Sequence, residues 1–91
     1  MNDAQTKPQP LTRNRPSVVD GQGQPVRLTP REQEVLYYCA HAKTSWEIGR
    51  ILGCEASTVN YHVGNILRKF SVCTRVAAVI KALRYGLLTI Q

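Results

Sequence analysis

Val59, Val63, Ile66, Leu67 and Phe70 recur at i, i+4, i+7, i+8 and i+11, separated only by Asn, Tyr, His, Gly, Arg and Lys. That spacing places five apolar side chains on one stripe of an α-helix, predicted over about 56–70. The other side carries Ser57, Asn60, Tyr61, Gly64, Asn65 and Arg68. A helix with one apolar stripe must bury it against neighbouring elements, so the remainder of the chain has to supply them.

The flanking sequence predicts three more helices. Thr29-Pro30-Arg31-Glu32 combines a threonine N-cap, proline at the first helical position and glutamate at the third, opening a helix over about 30–42. Its inner face is Val35, Leu36, Cys39 and Ala40. Thr44-Ser45-Trp46-Glu47 forms a second capping box, for a short helix over about 45–52 with Ile48, Ile51 and Leu52 inward; Gly53 ends it. Thr74 caps a last helix over about 75–85, which Gly86 stops, and Leu87, Leu88 and Ile90 form an apolar tail. No alternating β pattern or repeat competes, so the fold class is all-α with four helices.

Residues 1–28 hold four of the five prolines among Gln, Asn and Gly, and read as a disordered linker or tail. The helical domain is predicted over 29–91. A chain of 91 residues has room for one small domain. Lys+Arg outnumber Asp+Glu by 12 to 6, which favours a polyanionic partner. Cys39, Cys54 and Cys73 are odd in number and form no Cys-x-x-Cys pair, and with His41 and His62 they make no convincing metal set. Cys39 and Cys73 fall on apolar stretches and are expected as buried small hydrophobes in a reducing compartment. No signal peptide and no run of about 18 apolar residues is present, so the protein is expected in the cytosol, away from membranes. No acid–base pair, nucleophile–base pair or phosphate loop points to an enzyme, and no cofactor or metal is expected.

A short capped helix, a glycine turn and a longer helix with a polar outer face make a helix-turn-helix arrangement. The shorter helix braces against the DNA backbone, and the longer offers its outward side chains to base edges. Residues 44–70 meet that demand.

The same residues resemble the LuxR/GerE-type DNA-binding domain. The likeness runs through Leu28-Thr29-Pro30-Arg31-Glu32, Lys43-Thr44-Ser45-Trp46-Glu47-Ile48, Ile51-Leu52-Gly53, Thr58-Val59-Asn60-x-His62, Asn65-Ile66-x-Arg68-Lys69 and Ala82-Leu83-x-x-Gly86-Leu87. The 43–48 stretch is most similar to the acyl-homoserine-lactone-responsive, quorum-sensing branch. The resemblance implies a bacterial transcriptional regulator, either a free-standing effector or the output domain of a longer one, that binds double-stranded DNA as a homodimer on a two-fold operator and contacts RNA polymerase. Relatives carry an N-terminal sensor, for which residues 1–28 are too few, so no small-molecule ligand is expected within this chain.

Carried over by motif, Ser57, Asn60, Tyr61 and Gly64 stand where bases are met. Thr44, Ser45, Trp46, Thr58, His62, Arg68, Lys69 and Arg75 stand where the DNA backbone is met. Asn60 offers a donor and an acceptor, the pattern that pairs with adenine N7 and N6. Arg68, Lys69 and Arg75 are expected to cluster at one helix end. Gly64 and Glu55 depart from the family pattern, and Ser71 replaces its customary turn glycine. On the last helix Val76, Val79, Ile80, Leu83 and Leu87 form an apolar arc, expected to pair two copies. The alternative is a protein-interaction module that heterodimerises with a full-length relative through that helix.

Overall fold

The computed structural model describes residues 25–89, which form four helices: α1 (Pro30–Ala40), α2 (Ser45–Leu52), α3 (Ala56–Phe70) and α4 (Arg75–Arg84). The α2 and α3 bounds are those expected from the caps and periodicity. Helix α1 stops two residues earlier than expected, because the chain reverses at Ala42, whose φ is 62°. There the Lys43 amide donates to the Tyr38 carbonyl at 3.0 Å and the Ala42 amide to Cys39 at 3.0 Å, closing the helix end in a Schellman turn. Helix α4 likewise ends one residue early, at the left-handed Gly86.

Both capping boxes form. The Thr29 hydroxyl accepts from the Glu32 amide at 3.1 Å while the Glu32 carboxylate accepts from the Thr29 amide at 3.0 Å. Thr44 and Glu47 repeat the exchange at 3.1 and 2.8 Å. Gly53 takes φ 78° at the α2 end, and Ser71 takes φ 57° at the α3 end, where glycine would be free of the Cβ penalty.

Helix α3 is the strut on which α1, α2 and α4 all pack. Its Val59, Val63, Ile66 and Phe70 are buried with Val35 and Leu36 of α1, Ile48 of α2, and Ala78 and Ala82 of α4. The two alanines, one turn apart, let α4 approach closely. Leu67 and Leu52 are partly buried against this core.

Several side chains depart from expectation. Ile51 is 48% exposed, because the buried arc of α2 runs through Ile48, Leu52 and Gly49, leaving Ile51 beyond its edge. Cys73 is exposed, and Cys39 and Cys54 are half-buried. Val26 is buried and Leu28 packs on the core, so the folded unit begins before Thr29. Residues 1–24 of the segment read as disordered, and Ile90 of the tail, lie outside the described residues. Leu87 and Leu88 pack back onto the core beside α1, lining a groove of about 510 Å³ with Tyr37 and Tyr38.

Candidate nucleic-acid interface

The interface is framed by α2 and α3, joined by a turn that leaves almost no room. The Gly53 and Cys54 amides both donate to the Gly49 carbonyl, at 2.8 and 2.9 Å. A Cβ on Gly49 would stand 2.4 Å from the Cys54 carbonyl oxygen, so glycine at 49 is what allows the second helix to start where it does. Sequence reasoning passed over this residue; a glycine inside an otherwise helical pattern was its signal.

Along α3 the core stripe occupies one side, and Ser57, Thr58, Asn60, Tyr61 and Arg68 are exposed on the others. Tyr61 is 64% exposed, with its ring edge-on to the half-buried His62 at 5.6 Å. Arg68 is hydrogen-bonded to Asn65, one turn back on the same helix. Gly64 lies between these residues, and an added Cβ there would meet only the Arg68 guanidinium, at an ordinary 3.7 Å. Packing therefore does not require glycine at 64.

At the α2 N-terminus, the Thr44 hydroxyl is occupied by its cap. The hydrogen bond between Glu47 and the Thr44 amide holds the Glu47 carboxyl below its ordinary range. Trp46 is exposed and carries the Arg50 guanidinium over its ring, 5.2 Å from the centroid. Arg50 was not anticipated as part of this face; its i+4 spacing from Trp46 was the available cue. The Glu55 side chain makes no cap bond to α3.

The expected cluster of Arg68, Lys69 and Arg75 does not form. Lys69 is half a turn around α3 from Asn60, and its ammonium binds the buried Glu32 carboxylate at 2.6 Å and the Arg27 carbonyl at 2.8 Å. Burial alone would raise the Glu32 pKa, but the Lys69 hydrogen bond and charge, with the Thr29 amide, bring it below the ordinary range. Arg75 reaches the other edge of α3, where its guanidinium binds the Ser45 hydroxyl and the Asn60 carbonyl oxygen and lies 3.9 Å from the Cys39 sulfur. Burial pushes the Cys39 thiol up despite that arginine.

The predicted apolar arc of α4 divides. Val76 (67% exposed), Ile80 (52%) and Leu83 (39%) stand out at i, i+4 and i+7, whereas Val79 and Leu87 are half-buried against the core, Val79 also lining a surface groove with Val76 and Ile80. Among the described residues, no group of three potential ligands is placed to hold a metal ion, and no helix is long and apolar enough to cross a membrane.

Comparison with known proteins fits this geometry. The chain is 48% identical over 61 residues to the transcriptional activator protein SolR of Ralstonia nicotianae, covering 67% of this chain and 26% of SolR. It is 41% identical over 85 residues to the HTH-type quorum sensing-dependent transcriptional regulator RpaR of Rhodopseudomonas palustris, covering 93% of this chain and 30% of RpaR. The chain thus spans between a quarter and a third of these relatives. The solved structure of the transcription factor GerE superposes with a TM-score of 0.67 at 30% identity, over 70% of this chain and 96% of GerE. The model of the bacterial regulatory proteins, luxR family, matches residues 26–82, from the first buried core side chain to the last. This chain belongs to the LuxR family of bacterial regulatory proteins, and residues 26–82 are its helix-turn-helix DNA-binding domain.

Proposed function

We propose that this domain binds a two-fold operator as a homodimer, with α3 in the major groove and α4 pairing the two copies. One observation carries the reading: α3 is held from behind by three helices and presents Ser57, Asn60, Tyr61, Gly64 and Arg68 on its free side. A helix backed on one side by three others, with small or polar side chains on its free side, fits the groove and reaches base edges. Ser57, Asn60, Tyr61 and Gly64 face bases. Thr44, Ser45, Trp46, Thr58, His62 and Arg68 lie against the DNA backbone, with Arg50 added to that set. Lys69 stands apart, committed to Glu32.

The row of Val76, Ile80 and Leu83 supports pairing, since it is an apolar stripe the domain leaves uncovered. The likeness to the quorum sensing-dependent regulator RpaR extends over 93% of the chain, which supports an output domain in a quorum-sensing regulator acting in the bacterial cytoplasm at promoters. An RNA polymerase contact belongs to the same reading.

An electrophoretic shift with the purified chain tests it. Binding to selected duplexes should survive non-specific competitor and weaken steeply with salt. A chain that shifts DNA only after a longer family member is added would instead be a heterodimerising module, and the homodimer reading would fall.

A further inference from the structure

We infer that Arg75, acting with Ser45, fixes the hydrogen-bonding polarity of Asn60 and is thereby a positioning residue for base recognition; the inference rests on the proposed placement of α3 in the major groove. Asn60 belongs to α3, Ser45 is the first residue of α2 and Arg75 the first of α4. Their side chains meet at one edge of the exposed face. Arg75 Nη2 donates to Asn60 Oδ1 at 3.2 Å and also to Ser45 Oγ, and the Ser45 hydroxyl donates its proton to the same Oδ1.

The chemistry of the partners decides which end of the amide faces inward. A guanidinium has only donors, so the Asn60 atom it meets is the carbonyl oxygen and not the amino group. Ser45 receives from Arg75 and therefore spends its single proton on Asn60. Both acceptor sites of Oδ1 are then filled by protein donors. The Nδ2 amino group has no protein partner among the described residues, and its two protons are left to the exposed side.

The consequence is a change in what Asn60 reads. Pairing with adenine requires an acceptor for N6–H as well as a donor for N7, and the acceptor is already occupied. An amide offering donors alone suits an edge offering acceptors alone. Guanine, with O6 and N7, offers two such acceptors, whereas thymine offers only O4 beside its methyl group; cytosine presents only its N4 donor there and is rejected. Asn60 thus favours guanine over adenine so long as Arg75 and Ser45 hold it. The arginine acts on specificity without touching a base.

Selection from a random duplex pool, using the full chain and its Asn60→Ala, Ser45→Ala and Arg75→Met variants, tests this. The position whose preference is lost in Asn60→Ala identifies the base that Asn60 meets. Wild type should enrich guanine and deplete cytosine there. Either partner substitution should free Oδ1 and move the preference toward adenine, lowering the guanine-to-adenine affinity ratio by about tenfold. Thr44 still caps α2 in Ser45→Ala, so that variant keeps the test decisive if Arg75→Met folds poorly. An unchanged ratio in the folded variants, with affinity reduced alike on all sequences, would make Arg75 a phosphate ligand and overturn the inference. Adenine preference in wild type would overturn it as well. If Asn60→Ala altered preference at no position, the groove placement itself would fail, and the inference with it.

Discussion

An alanine Cβ at position 49 would sit 2.4 Å from the Cys54 carbonyl, whereas one at position 64 would touch nothing nearer than 3.7 Å. Two glycines of similar sequence context therefore have opposite energetics. Gly49→Ala should destabilise the domain by about 1–3 kcal/mol, the usual cost of overpacking. Gly64→Ala should stabilise it by up to about 1 kcal/mol, because alanine is the better helix former. Urea unfolding of both variants measures the contrast. Glu32 makes a second residue-scale case, since its buried carboxylate is stabilised by Lys69 and by the Thr29 amide. Glu32→Gln should cost about 2 kcal/mol at neutral pH. The native pKa is lowered, so this contribution is complete above the ordinary glutamate range and fades as pH falls through the lowered value. Denaturant midpoints of wild type and Glu32→Gln should therefore differ at pH 7 and converge in acid. Thr29 and Glu32 were legible as a capping box, but not the lysine 37 residues away that completes the pair.

At the scale of elements, caps and periodicity located all four helices because each signal is local: an N-cap hydroxyl, a proline, an apolar stripe. What they could not locate is which part of a stripe another helix covers. Ile51, expected inward, is left outside for this reason, and Val79, expected on the pairing face, is half-buried, packed against the core while lining a surface groove with Val76 and Ile80. The exposed row on α4 is consequently Val76, Ile80 and Leu83. Val76→Glu and Ile80→Glu should preserve the circular dichroism of the domain while abolishing paired occupancy of a two-fold site. Val79→Glu should lower stability in addition, because the half-buried Val79 side chain packs against the core. Paired occupancy undiminished in both exposed-site variants would remove α4 from the interface. The α3 terminus offers a simpler case. Ser71 holds φ 57° in a Schellman turn closed by the Val72 amide on the Leu67 carbonyl. Ser71→Gly should relieve the left-handed strain and stabilise the domain by about 0.5–1 kcal/mol, after the greater chain entropy of glycine is counted. A thermal melt is sufficient to show it.

Across the molecule, three helices converge on one strut and leave that strut's polar side free, and the cations are distributed around it with different tasks. Lys69 closes the α1 side, Arg75 orders the α2–α4 side, and Arg68 and Arg50 remain on the exposed face. The formal charge of +6 gave the class of partner but not this division of labour, which depends on contacts far apart in sequence. The central claim is that α3 reads DNA sequence, and Asn60 is where it can be measured most directly. Binding isotherms for wild type and Asn60→Ala should be recorded on a selected operator and on random duplex, at one salt concentration. The variant should lose about 1–3 kcal/mol per half-site on the operator and much less on random DNA, lowering the ratio of specific to random affinity. An unchanged ratio would contradict the claim.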